Sequence, residues 1–422
     1  MPTDDATAEA KVAACLDRIA LREETVEAWA YLDPEAALAR ARARDRESVR
    51  GPLHGLPVGI KDIMDTADMP TAYGSSIYAG HRPAADAACV ALLRAAGAIV
   101  LGKTVTTEFA TTHPGKTRNP LAAGRTPGGS SSGSAAAVAD GMVPVALGTQ
   151  TMGSVIRPAA YCGVVGFKPS FGLINRAGIK PQAESIDTVG VLGRTVGDVS
   201  PVAAILAGAP PDAFGRALRR APRIALYRGP DWSKAEPAAD AALEVTARRL
   251  IEAGATVSET TDAPILRAAL DAHLKIVVFE LARALAFEWA AHRRALSPEL
   301  TGLIEAGRAC SFDDYLTAQA VAAAARTWIA RTFDEVDLWL TLSAPGEAPE
   351  GLESTGDPVL NRVWSVLHLP ALSLPAGQGP NGLPLGVQLI GPYGRDADLI
   401  AAARWIETQL QRSTDVESPS YS

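Results

Sequence analysis

Short, continuously apolar runs alternate with longer amphipathic stretches along most of this chain. Residues 56–60 (Leu-Pro-Val-Gly-Ile), 98–102 (Ala-Ile-Val-Leu-Gly) and 143–148 (Val-Pro-Val-Ala-Leu-Gly) are apolar at consecutive positions rather than at every second one. Strands written that way are buried on both faces. Around them, 5–19 and 33–49 are rich in helix formers, 85–96 carries an apolar stripe at helical spacing, and 134–140 is Ala-rich. All four are expected as helices. Farther on, 224–227 and 256–258 predict strands flanking a helix at 238–253. Two Ala-rich helices fall near 269–293 and 312–334. Strands at 337–342, 371–374 and 385–390 are expected to close the sheet, before a final helix near 397–411. The alternation predicts an α/β protein whose largely buried sheet is covered by helices on both faces. No internal repeat is visible. The Pro/Gly-rich stretches 208–215 and 344–358 are expected as loops.

Composition narrows the function classes. With 47% hydrophobic and 21% charged residues, the chain can bury a sizeable core and is not a disordered polymer. A net charge of -7 argues against a nucleic-acid or anionic-membrane surface. No apolar run approaches the ~20 residues of a membrane span. The opening Met-Pro-Thr-Asp-Asp is acidic and has no signal-peptide core. Cys15, Cys89, Cys162 and Cys310 are scattered without CxxC spacing, which fits reduced thiols in a cytoplasmic protein and no zinc site.

Three motifs compete for the chemistry. Gly97-Ala-Ile-Val-Leu-Gly102-Lys103-Thr104 fits a phosphate-binding GxxxxGK[ST]. That mechanism needs an open loop between a strand and a helix, whereas Ala-Ile-Val-Leu is itself strand-like, so Lys103 is read as structural. Gly129-Ser130-Ser131-Ser132-Gly133 fits the GxSxG nucleophile elbow, with Ser131 as nucleophile and His273, His292 or His368 downstream. An elbow follows a strand directly, but Ser131 follows a loop with prolines at 120 and 127.

The third reading uses more of the chain. The Gly/Ser loop at 127–138 is followed by a second one, Gly148-Thr-Gln-Thr-Met-Gly-Ser154-Val-Ile-Arg157-Pro158, and by Cys162-Gly-Val-Val-Gly-Phe-Lys-Pro-Ser170. Upstream lies Gly55-Leu-Pro-Val-Gly-Ile-Lys61-Asp62. Leu192-Gly-Arg-Thr-Val-Gly-Asp198, Leu372-Ser-Leu-Pro-Ala-Gly377 and Gly382-Leu-Pro-Leu-Gly-Val-Gln-Leu-Ile-Gly391 follow. This set resembles the amidase signature family, most closely its malonamidase-like subgroup. The resemblance implies one domain over 1–422, with a core at 55–200 and 337–410 and a divergent, substrate-shaping segment at 230–335. It implies a large mixed, mostly parallel sheet and a Ser–cis-Ser–Lys site. The lysine falls on Lys61, the bridging serine on Ser130 and the nucleophile on Ser154. The spacing, 154 − 130 = 24 residues, matches the family register and picks Ser130 over Ser131.

Physical chemistry makes sense of those residue types. A serine hydroxyl attacks poorly unless a base takes its proton. Neither loop holds a histidine, but a buried lysine kept neutral by desolvation can serve. Ser130, both donor and acceptor, can relay the proton. The backbone N–H groups of Thr151, Met152, Gly153 and Ser154 are expected to form the oxyanion hole. Taken singly, a lysine after a strand is more often a solvated or salt-bridged residue, and a Gly/Ser loop before a helix is usually an N-cap. Ser131 and Ser132 are read as capping or supporting groups. Thr149 and Asp187 either orient the site or are structural. His113 is read as a turn residue.

The sequence departs from the common family loop, Gly-Thr-Asp-Thr-Gly-Gly-Ser-Ile-Arg. Gln150 stands for the Asp, Met152 for a Gly, and the arginine comes one residue later, at Arg157. Gln150, Met152 and Arg157 are therefore expected to contact substrate. Arg157 either meets a substrate carboxylate or holds loop carbonyls. The activity implied is hydrolysis of a C–N bond in a small amide, or a carbamate, aryl acylamide or ester, through an acyl-enzyme on Ser154. No cofactor and no metal are implied. The partners expected are a small-molecule amide or carbamate, with no nucleic acid and no membrane, and a homodimer by family analogy. Two alternatives stand: a transamidosome-type amidotransferase subunit that needs partner chains, and an inactive binding homologue.

Overall fold

A computed structural model describes residues 6–48, 50–260 and 263–411. The expected acidic N-terminus and the start of the 5–19 helix lie outside the described residues, and the helix expected over 33–49 runs only over Pro34–Asp45. The described residues form eleven strands: β1 (Trp29–Leu32), β2 (Pro57–Lys61), β3 (Ile99–Thr104), β4 (Val145–Gln150), β5 (Val165–Lys168), β6 (Thr188–Gly193), β7 (Arg223–Tyr227), β8 (Thr256–Thr260), β9 (Leu338–Leu342), β10 (Ala371–Gln378) and β11 (Pro384–Ile390). They form one sheet in the order β1-β3-β2-β4-β6-β5-β10-β11-β9-β7-β8, with thirteen α-helices among the described residues around it.

The continuous apolar runs are buried on both faces, as their pattern requires. In β3, Val100 packs with Val58, Ile60 and Leu147 on one face, while Ile99 and Leu101 pack with Ala146 on the other. In β9, Leu338, Leu340 and Leu342 face the first side and Trp339 the second. The helices Ala88–Ala95, Val196–Leu206, Pro237–Glu252 and Asp396–Gln411 send their apolar residues to the first face. The N-terminal helices and Ser132–Ala139 cover one end of the second face, and Pro264–Ala284, Phe312–Thr332 and Arg362–Val366 the other.

The sheet is mixed. β2 pairs parallel with β3 and β4, and β7 with β8 and β9. The other six pairings are antiparallel. Antiparallel pairing thus exceeds what helix–strand alternation suggests, because β5–β6 and β10–β11 are joined without a helical crossover. A second correction concerns position. The C-terminal strands do not close the sheet; β10 and β11 sit in its middle and join the two halves. Their buried Ala-Leu-Ser-Leu and Leu-Gly-Val-Gln-Leu runs suit the interior. The edges go to β1 and to β8, whose Thr-Val-Ser-Glu-Thr is largely exposed. The helix expected near 269–293 is two, Pro264–Ala284 and Ala286–His292. No helix among the described residues is long and apolar enough to cross a membrane.

This topology sets up one end of the sheet. β2 and β4 run parallel side by side, so Lys61 and Gln150 both lie at carboxyl-terminal ends, where open α/β sheets leave room for ligands.

Candidate functional site

Lys61 ends β2 and is fully buried. Its Nζ lies 2.7 Å from Ser130 Oγ and 2.8 Å from Thr149 Oγ1. Burial pushes its pKa well below the usual lysine range; Asp187 opposes this as the one charge pulling it back up. The contact brings together residues 69 positions apart in sequence.

Ser130 follows the cis peptide Gly129–Ser130, at the entry to the helix Ser132–Ala139. The double glycine before it has a steric reason. Gly128 has φ +81°, and a Cβ there would lie 2.8 Å from Pro158 Cα. A Cβ on Gly129 would lie 2.7 Å from Thr355 Cγ2. Of the two roles expected for the next two serines, capping or support, the structure shows support, since no side chain caps the helix. Ser131 Oγ reaches across to the backbone N–H and carbonyl of Thr149, both at 3.2 Å, and Ser132 Oγ donates to the Val105 carbonyl. They tie the loop to strands on either side. Full burial of Ser131 against β4 also speaks against the elbow reading.

Ser154 sits in the turn after β4, just before the helix Ile156–Cys162. Its carbonyl accepts from Ser131 N–H at 3.3 Å, which joins the two loops. Its hydroxyl makes no hydrogen bond to Ser130 among the described residues. The N–H groups of Thr151, Met152, Gly153 and Ser154 donate to no acceptor among the described residues. Successive backbone N–H groups that converge make a seat for an oxygen anion.

Around this loop the expected substrate contacts sort differently. Gln150 does not face substrate. It is fully buried; its Oε1 accepts from Val155 and Ile156 N–H at 2.9 and 3.0 Å, and its Nε2 donates to Ser365 Oγ. It therefore caps the helix after the loop, satisfying donors that every helix start leaves open. Arg157 is buried, and its Nη2 donates to the Gly129 carbonyl at 2.7 Å and to Thr355 Oγ1 at 2.9 Å. Its Nε and Nη1 have no partner among the described residues. Met152 is half-buried against the cluster containing Ile156, Ala183 and Trp364, and it is not among the non-glycine residues with positive φ. Its backbone is therefore unstrained by the missing glycine.

Thr149 and Asp187 both lie at the centre. Asp187 Oδ1 is 2.5 Å from Thr151 Oγ1, and Oδ2 accepts from Gln182 and Ala183 N–H. With Thr149 and Thr151, Asp187 lines a cavity of about 530 Å³ that extends past Asn175, Arg176 and Lys180. Lys103 is buried against Asp62 at 3.0 Å within β3, which leaves no phosphate loop there. His113 is exposed beside Glu299. Sequence reasoning offered His273 only as a downstream partner for the elbow and did not single out Ser365; the two bond the carbonyls of Thr151 and Met152. Neither lies near the motifs in sequence.

Residues 10–400 match the amidase family model, described simply as Amidase. The chain belongs to the amidase family. It is 36% identical to a glutamyl-tRNA(Gln) amidotransferase subunit of Chloroflexus aggregans, over 95% of this chain and 92% of the relative. A crystal structure of an amidase superposes with a TM-score of 0.88 at 32% identity, covering 96% of both chains. The peptide amidase of Stenotrophomonas maltophilia superposes at 0.81 with 31% identity, over 96% of this chain and 94% of that one. The expected fold is thereby shown. The expected partners are not. A small molecule and at most a second copy of the chain is too narrow a frame, because the amidotransferase relative is by its name one subunit of an assembly.

Proposed function

We propose that this chain is the amide-opening subunit of an amidotransferase-type assembly, hydrolysing a carboxamide through an acyl-enzyme on Ser154. The observation that supports the chemistry is the buried Lys61–Ser130 contact beside a loop with four open N–H groups. The relative's name supports the assembly.

Neutral Lys61 takes the proton of Ser130 Oγ, which takes that of Ser154 Oγ. Ser154 Oγ bonds to the amide carbon, and the C=O electron pair moves to oxygen, facing the N–H groups of residues 151–154. When the intermediate collapses, the C–N bond breaks. Its electron pair leaves with nitrogen, which recovers the proton from Lys61 through Ser130, so a primary amide releases ammonia. Water then repeats the sequence on the ester and frees the carboxylic acid. In an amidotransferase the ammonia is the useful product. Thr149 holds Lys61, and Asp187 fixes Thr151 at the start of the loop. Arg157 holds the carbonyl of the residue before Ser130.

The test uses the chain alone and the chain co-expressed with the neighbouring open reading frames of its source. Ammonia release from L-glutamine, acetamide and benzamide is measured with each, after checking which chains copurify. The proposal expects a copurifying partner and ammonia release that rises in its presence. Full activity of the isolated chain, with no partner retained, overturns the assembly. No ammonia release and no labelling of Ser154 by a fluorophosphonate in either preparation overturns the chemistry.

A further inference from the structure

The helix Pro264–Ala284 belongs to the segment that lacks signature motifs, yet one of its residues reaches the reactive loop. His273 is fully buried, and its Nε2 lies 3.1 Å from the carbonyl oxygen of Thr151. A carbonyl only accepts, so Nε2 carries the hydrogen. Nδ1 is also buried and has no partner among the described residues. A second proton there would strand a buried N–H, so the ring is neutral. Burial, aided by the positive charge of Arg362, holds its pKa down at about 4.

The next carbonyls are held as well. Met152 O accepts from Ser365 Oγ at 3.1 Å, Gly153 O from Arg157 N–H at 2.9 Å, and Ser154 O from Ser131 N–H at 3.3 Å. In a trans peptide the C=O and the following N–H point in opposite directions. The cis peptide bond of the described residues lies elsewhere, at Gly129–Ser130. Each held carbonyl therefore turns the following N–H away from the holder. The carbonyl of Thr151 governs the N–H of Met152, that of Met152 governs Gly153, and that of Gly153 governs Ser154. This accounts for three of the four open donors, those of Met152, Gly153 and Ser154, inside a buried loop where the backbone would normally find partners.

We infer that His273 is a positioning residue for the oxyanion loop: by holding the Thr151 carbonyl it aims the Met152 N–H at the oxygen of a substrate bonded to Ser154. The inference rests on the reading of Ser154 as nucleophile. It gives the segment without motifs a role in the reaction itself as well as in shaping the substrate site. It also makes the side chain at 152 immaterial to the donor, since the N–H is aimed from outside the residue.

The test measures phosphonylation by a fluorophosphonate in the full chain with any copurifying partner, because the transferred P=O oxygen occupies the same donors. His273→Leu keeps the volume and removes the donor. Its saturating labelling rate should fall ~10²-fold, the loss typical of one oxyanion donor, with half-saturation changed less than about 2-fold. His273→Gln places an amide N–H near the Nε2 position and should recover to within ~10-fold of wild type. Wild-type labelling rates in His273→Leu overturn the inference. So do equal rate losses in the Leu and Gln variants accompanied by equal losses of melting temperature, which is the pattern of a packing role. If the Leu variant does not fold, Ser365→Ala carries the test on the neighbouring carbonyl: a comparable rate loss supports the clamp, and an unchanged rate overturns it. Failure of the wild type to label at Ser154 is a different result, which removes the nucleophile reading.

Discussion

Arg157 donates to the carbonyl of Gly129, the residue joined to Ser130, across 2.7 Å. The guanidinium is buried, so this bond forms in a poorly screened environment and fixes the entry to the first loop. Arg157→Ala should lower kcat alike on amides with and without a carboxylate. Loss of such a charged hydrogen bond costs about 1.5–3 kcal/mol, so the drop should be ~10–150-fold. Two of its nitrogens lack partners among the described residues, which makes the comparison of both substrate types informative. A KM rise confined to acid-bearing amides would return Arg157 to substrate recognition.

Lys61 is a base whose folded pKa lies below its unfolded value. Below the folded pKa it is charged and cannot accept the proton of Ser130, so the rate should fall as pH drops through that value. Between the folded and unfolded pKa the unfolded state binds the extra proton, so stability should rise with pH across this window. Lys61→Met should abolish turnover and flatten that stability slope without lowering the melting temperature at neutral pH. Rate profiles on one amide and urea melts at several pH values check both. An acid limb that survives in residual Lys61→Met activity would assign it to another group.

A methyl group at Gly129 has no room beside Thr355 Cγ2. Gly129→Ala should cost about 1–3 kcal/mol in urea unfolding, as overpacking does. Thr355→Ser deletes that methyl while keeping the hydroxyl that Arg157 uses. The double variant should recover more than half of the loss, a coupling only neighbours show. Strict additivity would mean the loop yields elsewhere.

Met152 carries an ordinary backbone and a half-buried side chain, so its selection is a matter of space. Met152→Gly should leave fluorophosphonate labelling within about 3-fold of wild type while preference shifts toward bulkier amides, since the N–H remains. Its melting temperature should not rise. A uniform gain on small and large amides together with a higher melting temperature would show that Met152 strains the loop.

The core of this fold was legible because its inner strands are continuously apolar. Val58–Ile60 and Ile99–Leu101 need cover on both faces and have it. β5 and β6, Val-Gly-Phe-Lys and Thr-Val-Gly-Val-Leu-Gly, were not read as strands because both lie within the stretches taken as signature motifs. The helix Val196–Leu206 did leave a sign, the Thr195/Asp198 capping box, obscured by Pro201 inside it. The helix Ile156–Cys162 was hidden by Pro158, which its first turn tolerates. At the site, Lys61, Ser130 and Ser154 were read from their motifs; the structure sets Lys61 Nζ against Ser130 Oγ and ties the two loops through Ser131 N–H and the Ser154 carbonyl. Gln150 was misread because an amide beside a reactive loop looks the same in sequence whether it faces substrate or a helix start. His273 and Ser365 reach the loop across 122 and 213 residues, and nothing local marks either.

The most direct test is peptide mapping after incubation with a fluorophosphonate, using wild type, Ser154→Ala and Ser131→Ala. The account predicts one adduct, on Ser154, in wild type and in Ser131→Ala, and none in Ser154→Ala with its fold intact. An adduct on Ser131, or labelling that persists in Ser154→Ala, would contradict it.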